Sequence, residues 1–162
     1  MRQIISVLVE NQYGVLNKIT GLFSRRGFNI DALAVGTTED DSISRITMIV
    51  DSGNSVVEQV EKQLNKMIPV IKVRRLDIHD IVGRELALLK VNVTAKTRGE
   101  VKDLVEMMHA KIADISLNTV TVEISAEPAV IDLMIDMLRP YGIKEMARSG
   151  MLALQKGSKS LG

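Results

Sequence analysis

Apolar residues recur along the chain in two rhythms, the two-residue period of a strand and the 3.6-residue period of a helix. Ile4-Ile5-Ser6-Val7-Leu8-Val9 is β-branched, is closed by Asn11 and Gly14, and predicts a buried strand. Val15, Leu16, Ile19, Leu22 and Phe23 then share one helical face. Arg25 and Arg26 fall in the last turn, where positive charge suits the helix dipole, and Gly27 suits the exit. Ile30 to Thr38 predicts a second strand and Glu39-Asp40-Asp41-Ser42 a solvated turn. In a third strand Ile46, Met48 and Val50 alternate with Arg45, Thr47 and Ile49, until Asp51-Ser52-Gly53-Asn54 breaks it. Ser55 and Glu58 have capping-box spacing ahead of a helix bearing Val56, Val57, Val60, Leu64 and Met67, and Pro69 stops that helix. Val70 to His79 predicts a fourth strand, giving β-α-β-β-α-β, the order of ferredoxin-like domains.

The pattern then starts again. Leu89, Val91 and Val93 alternate with polar residues, Thr97 and Glu100 repeat the capping-box spacing, and Val101, Leu104, Val105 and Met108 share a helical face. His109 is placed in the last turn, as a cap for its carbonyls. Ile112 to Leu117 and Val120 to Ile124 predict two strands, and Pro128 opens a helix that Pro140 ends. A last strand reaches about Leu154, and the polar, glycine-rich stretch after it is expected to fray. An overlay with 85 residues between equivalents matches Leu16 to Val101, Ile19 to Leu104 and Gly14 to Gly99. The expected fold is therefore α+β, two ferredoxin-like βαββαβ domains in tandem over residues 1–80 and 81–162.

Composition narrows the function. The 162 residues carry 21 basic and 20 acidic side chains, too even a balance for a protein built to hold a polyanion. The absence of cysteine removes thiol nucleophiles and metal–thiolate sites, and it fits a reducing compartment, so a cytoplasmic location is expected. No stretch approaches the roughly 20 apolar residues that cross a bilayer. Tyr13, Phe23, Phe28 and Tyr141 are the whole aromatic complement, which argues against an RNA-binding sheet that stacks bases. A small acyl-phosphate hydrolase would have to assemble Arg2, Asn11 and Arg45. His79 with Asp77 and Asp80 makes a poor metal site, because neighbouring strand side chains point apart.

The informative segment is the first strand-to-helix turn, Glu10-Asn11-Gln12-Tyr13-Gly14-Val15-Leu16. A helix N-terminus offers unpaired N–H groups to a carboxylate, and Gly14 lets an anion approach the backbone. The amides of Asn11 and Asn29 both donate and accept, and Ile30 adds an apolar wall. Together these groups suit a small aliphatic zwitterion; the same residues also make an ordinary Asx turn and glycine cap with no ligand. At the separation of 85, Asn11 becomes Lys96 and Asn29 becomes Asp114, so a zwitterion site is expected in the first half alone.

Ile5-Ser6-Val7-Leu8-Val9-Glu10-Asn11, Gly14-Val15-Leu16 and Gly21 to Ile30 (GLFSRRGFNI) resemble the N-terminal ACT domain of acetolactate (acetohydroxyacid) synthase small regulatory subunits. Ser44-Arg45-Ile46-Thr47, Glu58 to Leu64 and Glu145 to Gly150 are similar to further marks of that family. The resemblance implies a chain with no catalytic residues and no cofactor of its own, needing neither nucleic acid nor membrane. Its implied partner is the large catalytic subunit, which carries thiamine diphosphate, magnesium and FAD. The small subunit raises that enzyme's activity and transmits feedback inhibition by valine or a related branched-chain amino acid. A homodimer is implied in which Asn11, Gly14, Val15 and Leu16 of one protomer face Asn29 and Ile30 of the other. A free-standing ACT-domain sensor of another enzyme is the alternative. Tyr13, bulkier than the residue expected there, would either narrow the pocket or point to solvent.

Overall fold

The computed structural model describes residues 2–51 and 53–161. Strand β1 (Arg2–Glu10) leads into helix α1 (Val15–Arg26), then β2 (Ile30–Thr37), β3 (Ile43–Asp51), α2 (Asn54–Leu64) and β4 (Val70–Leu76). The second series is β5 (Ile81–Asn92), α3 (Thr97–Met107), β6 (Lys111–Ile115), β7 (Thr119–Ala126), α4 (Pro128–Leu138) and β8 (Ile143–Gln155). Each series makes a four-stranded sheet, ordered β2-β3-β1-β4 and β6-β7-β5-β8, with antiparallel pairing throughout β1–β3, β1–β4, β2–β3, β5–β7 and β6–β7. These are two ferredoxin-like βαββαβ folds. Compact packing divides the chain into one unit of residues up to 82 together with 151 onward, and another of residues 83–150.

In the first unit the inward positions of the strands, Ile5, Val7 and Val9 with Ile46, Met48 and Val50, meet Ile19 and Phe23 of α1 and Val57, Val60 and Leu64 of α2. Few aromatics are needed to fill this core; Phe28 closes one end by packing edge-on against Phe23, with ring centroids 6.1 Å apart. The second unit repeats the plan with Ala87, Leu89 and Val91 against Val101, Val105, Ile131, Met134 and Leu138. The buried helix positions do not keep a separation of 85. Ile19 and Phe23 correspond to Val101 and Val105, 82 residues on, and Val57, Val60 and Leu64 correspond to Ile131, Met134 and Leu138, 74 residues on. The eight residues of β2 are replaced by the five of β6, so one fixed separation cannot hold across the repeat. Gly99 consequently lies inside α3 and is not the counterpart of Gly14.

Several local expectations are corrected. The fourth strand stops at Leu76, because the Asp77 carboxylate accepts a hydrogen bond from the His79 N–H (2.9 Å) and turns residues 78–80 into one helical turn. Gly53, not Ser55, precedes α2, and no side chain caps that helix; Ser52 lies outside the described residues. The second capping box forms three residues early. The Thr94 N–H donates to Thr97 Oγ1 (2.8 Å) and the Thr97 N–H to Thr94 Oγ1 (3.2 Å), which frees Glu100 to accept from the Tyr141 hydroxyl (3.0 Å). His109 sits beyond the end of α3 at φ 53°, where the backbone closes the helix through the Ala110 N–H on the Val105 carbonyl (2.9 Å). Pro128 does begin α4.

The stretch expected to fray is packed. Within the first unit Ile4, Leu76, Ile81, Met151 and Ala153 form a second small core on the sheet face away from the helices. Arg74 donates to Gln155 Oε1 (3.0 Å) and to the Ser160 carbonyl (2.9 Å), the Lys156 N–H bonds the Asp80 carbonyl (2.9 Å), and Leu161 is buried. A polar composition hid one apolar anchor and a set of specific hydrogen bonds.

Candidate functional site

The turn between β1 and α1 is fixed at both ends by backbone bonds. The Glu10 N–H donates to the Pro69 carbonyl (2.8 Å) and the Asn11 N–H to the Ser42 carbonyl (2.7 Å). Asn11 Nδ2 adds a bond to the Asp41 carbonyl (2.8 Å), so this side chain also holds the β2–β3 loop in place. That loop is more ordered than a plain solvated turn. Asp40 accepts from the Ser42 hydroxyl (2.6 Å) and N–H (2.9 Å), and these bonds hold its carboxyl below its ordinary pKa.

Gly14 cups the start of α1 in the left-handed region, φ 80° and ψ −1°, a conformation that strains any residue with a Cβ. No side chain caps the helix and no acid sits in its first turn. The N–H groups of Leu16 and Asn17 belong to the first turn, which has no carbonyls below it to bond. Among the described residues, no cap or turn bond takes them up. Within one protomer Tyr13 stands fully in solvent. Val15 is buried in the first core, whereas Leu16 is 41% exposed.

Asn29 and Ile30 lie elsewhere. Asn29 Nδ2 donates to Asp31 Oδ1 (2.9 Å), and Ile30 packs half-buried on the rim of the core. Ile30 pairs with Val50, which pairs with Gln3, so this cluster marks the end of the sheet where β1 begins. Asn11 follows the other end, where Val9 pairs with Ser44 and Ser44 with Thr37. The length of β2 separates them, roughly 25 Å at about 3.3 Å per residue. Within one protomer, therefore, the two amides do not converge.

The strand order leaves β2 at a free edge. Val35 pairs with Ile46 and so faces the helix side of the sheet, yet it is 47% exposed. Val35 on the β2 edge and Leu16 in the first turn of α1 are thus two aliphatic side chains left part-exposed in the single protomer. Sequence reading passed over Val35, since periodicity assigns a face but not a neighbour.

The other candidate groups do not assemble. Arg2 pairs with Asp31 (3.7 Å) at the start of β1, and Arg45 Nη1 donates to Ser6 Oγ (2.9 Å) on the sheet face opposite the helices. Neither joins Asn11, and the hydrolase constellation is absent. Among the described residues no group of histidine and acidic side chains is arranged to hold a metal, and no helix is long and apolar enough to cross a membrane.

Residues 5–72 match the family model of an AHAS small subunit-like ACT domain, and residues 84–157 that of the small subunit of acetolactate synthase. The chain is 46% identical over 159 residues to the probable acetolactate synthase small subunit of Archaeoglobus fulgidus, covering 98% of this chain and 99% of that one. The chain belongs to the acetolactate synthase small-subunit family. The small subunit of Bacillus subtilis is 44% identical over 160 residues, with 98% and 93% of the two chains covered. The crystal structure of the Thermotoga maritima acetolactate synthase small subunit superposes with a TM-score of 0.91 at 34% identity, covering 98% of this chain and 99% of that one.

Membership of the small-subunit family also gives meaning to the Glu145 to Gly150 segment. Arg148 bonds Glu85 and Asp132, Ser149 Oγ accepts from the Leu86 N–H (3.0 Å), and Gly150 takes φ 75°. These three consecutive residues fix the point at which β8 leaves the second unit, a structural role that sequence reading did not assign.

Proposed function

We propose that this member of the family regulates a large catalytic subunit of acetolactate synthase. It binds that subunit in the cytoplasm, raises its activity, and transmits inhibition by valine or a related branched-chain amino acid. The chain contributes no catalytic group; thiamine diphosphate, magnesium and FAD belong to the partner. The observation carrying this reading is the placement of Asn11 and Asn29 at opposite ends of a sheet whose β2 edge is free. A two-fold axis that pairs the β2 strands antiparallel brings the partner's Asn29 and the partner's Ile30 to the end that carries Asn11 and Gly14. It also covers Val35 and Leu16.

In that seam the effector carboxylate meets the free N–H groups at the start of α1, and its ammonium meets amide and carbonyl oxygens. The aliphatic side chain contacts Leu16, Val35 and the partner's Ile30. Because two protomers hold one ligand, binding favours one arrangement of the assembly over another. Inhibition requires that differential affinity, typically about 1–3 kcal/mol. An apolar pocket separates ligands differing by a methylene by only about 1–3 kcal/mol, so valine, leucine and isoleucine overlap as effectors.

Calorimetric titration of the purified protein with these three amino acids, repeated with Asn29→Ala, tests the reading. Expected are saturable binding by the wild type and weakened binding by the variant, with activation of the large subunit retained. Unaltered binding in the variant, or failure to co-purify with a large acetolactate synthase subunit, would overturn it.

A further inference from the structure

On the sheet face away from the helices, the first unit holds a cavity of about 300 Å³ walled by Arg45, Arg74 and Lys159 and, among the described residues, by no carboxylate. Strand register brings the two arginines together. Leu8 pairs with Arg45 of β3 and Ser6 with Arg74 of β4, and alternation turns these four side chains to one face. The guanidinium groups thus flank β1 from its two neighbouring strands. The stretch after β8 closes the cavity: Gly157 turns the chain at φ 74°, and Arg74 Nη1 holds the Ser160 carbonyl (2.9 Å). Leu76, Ala153 and Leu161, all buried, add an apolar wall.

Withdrawing a cation from water is costly unless a counter-charge meets it. In the second unit the fold supplies one, since Arg148 bonds both Glu85 and Asp132. Arg45 and Arg74 are half-buried too, yet their protein partners are neutral: Ser6 Oγ for Arg45 (2.9 Å), Gln155 Oε1 (3.0 Å) and the Ser160 carbonyl for Arg74. Among the described residues neither arginine, nor Lys159, makes an ion pair. Asp80 does not neutralise them; it accepts from Gln155 Nε2 (2.7 Å), which turns the Gln155 amide oxygen toward Arg74. Three cationic groups therefore border one space with no anion to match them.

We propose that this cavity binds a phosphate dianion carried on a small aliphatic molecule, a phosphomonoester, with Arg45, Arg74 and Lys159 meeting its oxygens. The planar fork of a guanidinium matches phosphate oxygens, and a dianion balances this set better than a single carboxylate does. The volume lies at the small end of ligand pockets, about 300–1,000 Å³, and leaves room beside Leu76 and Leu161 for an aliphatic portion. The site lies away from the start of α1 and is independent of the effector seam. Because Lys159 and the Ser160 carbonyl belong to the stretch after β8, occupancy should also tie that stretch to the sheet.

The test is calorimetric titration of the full-length protein with propyl phosphate, inorganic phosphate and acetate at fixed ionic strength. Expected are saturable binding of propyl phosphate, several-fold weaker binding of inorganic phosphate, which lacks the apolar contact, and acetate at least about tenfold weaker. Arg45→Gln should lower propyl phosphate affinity about 10- to 100-fold, the range for hydrogen bonds to a charged group. Lys159→Gln, an exposed charge whose loss leaves the core untouched, should lower it about two- to fivefold and keeps the test decisive if Arg45→Gln fails to fold. Arg75→Gln removes the same charge outside the cavity and should change nothing. Saturating propyl phosphate should slow amide exchange across residues 156–161. Absence of saturable binding, or equal losses in Arg75→Gln and the cavity variants, overturns the site. Equal affinity for propyl phosphate and inorganic phosphate overturns the ester and assigns the cavity to free phosphate.

Discussion

Arg148 and Glu85 meet across β8 and β5 through two hydrogen bonds, Nε to Oε1 at 2.9 Å and Nη2 to Oε2 at 2.7 Å. Nη1 reaches Asp132 Oδ1 on α4 at 2.7 Å, so one guanidinium ties a helix and two strands together. Glu85 is 6% exposed, and its partner is what makes that burial tolerable. The Glu85 hydrogen bond, followed by that of Asp132, raises the Arg148 pKa beyond the ordinary arginine range. A raised value means the stabilisation is complete below the unfolded pKa and is lost only as pH climbs through the folded one, in strong alkali. Arg148→Ala strands a buried carboxylate. The expected cost is about 2–3 kcal/mol, below the ~3–5 of a fully enclosed pair because Arg148 is partly exposed. Urea unfolding measures it, and the double variant Arg148→Met, Glu85→Leu should recover most of the loss.

Gly14 separates backbone strain from ligand approach. A Cβ added there meets nothing within 4 Å in one protomer, so the only intrinsic penalty of Gly14→Ala is the φ of 80°. That penalty is about 1–2 kcal/mol for an L-residue in the left-handed region. The methyl group also stands where the effector carboxylate would come up to the helix start. Thermal melts should therefore show a small loss of stability, and valine titration a fall in affinity of more than about tenfold.

Val35 reports on the seam without touching the helix start. A strand-edge residue that faces the helix side and is still 47% exposed should be covered when two β2 strands meet. Val35→Asp places two like charges near the proposed two-fold axis, and sedimentation should show monomer for the variant and dimer for the wild type. Persistence of the dimer would place the association surface elsewhere.

Most of the element order was legible because the inward-facing residues of each strand and helix keep their periods strictly. Ile5, Val7 and Val9 against Ile46, Met48 and Val50 leave little doubt about register. The turn chemistry at Gly14 was legible too, as only glycine takes that conformation without strain. What periodicity misses is competition between neighbouring groups. Thr94 outbids Glu100 as the partner of Thr97, and Asp77 bends a strand that apolar residues would have continued. Nor does local sequence say which end of a sheet a residue occupies. From the residues alone Asn11 and Asn29 looked like one site; the family resemblance implied two protomers, and the strand order shows that a single protomer keeps them apart.

The second unit contains its own titration marker. The Glu100 carboxylate accepts the Tyr141 hydroxyl proton at 3.0 Å, and this bond raises the phenol above its ordinary pKa of 10.0. The raised value means that the folded chain favours neutral Tyr141; this stabilisation is present below pH 10 and fades as pH rises through the shifted value. Spectrophotometric titration of phenolate should show one step above the ordinary range, absent in Tyr141→Phe. Glu100→Gln should bring it back down.

The packed end of the chain gives the last prediction. Leu161 is 5% exposed and Arg74 grips the Ser160 carbonyl, yet the residues between Gln155 and Leu161 are polar or glycine and have little apolar surface of their own. Their order should therefore depend on those two anchors rather than on local propensity. Truncating a buried leucine costs about 2–5 kcal/mol in a core, and in a segment with so little apolar surface of its own the low end applies. Leu161→Ala should lower stability by about 2 kcal/mol or less, and it should speed proteolysis and amide exchange across residues 156–161. Arg74→Ala should accelerate exchange in the same residues while leaving exchange in α1 and β3 unchanged. If either variant exchanges like the wild type, the anchors do not hold the segment and its order arises from the backbone bond between Lys156 and Asp80.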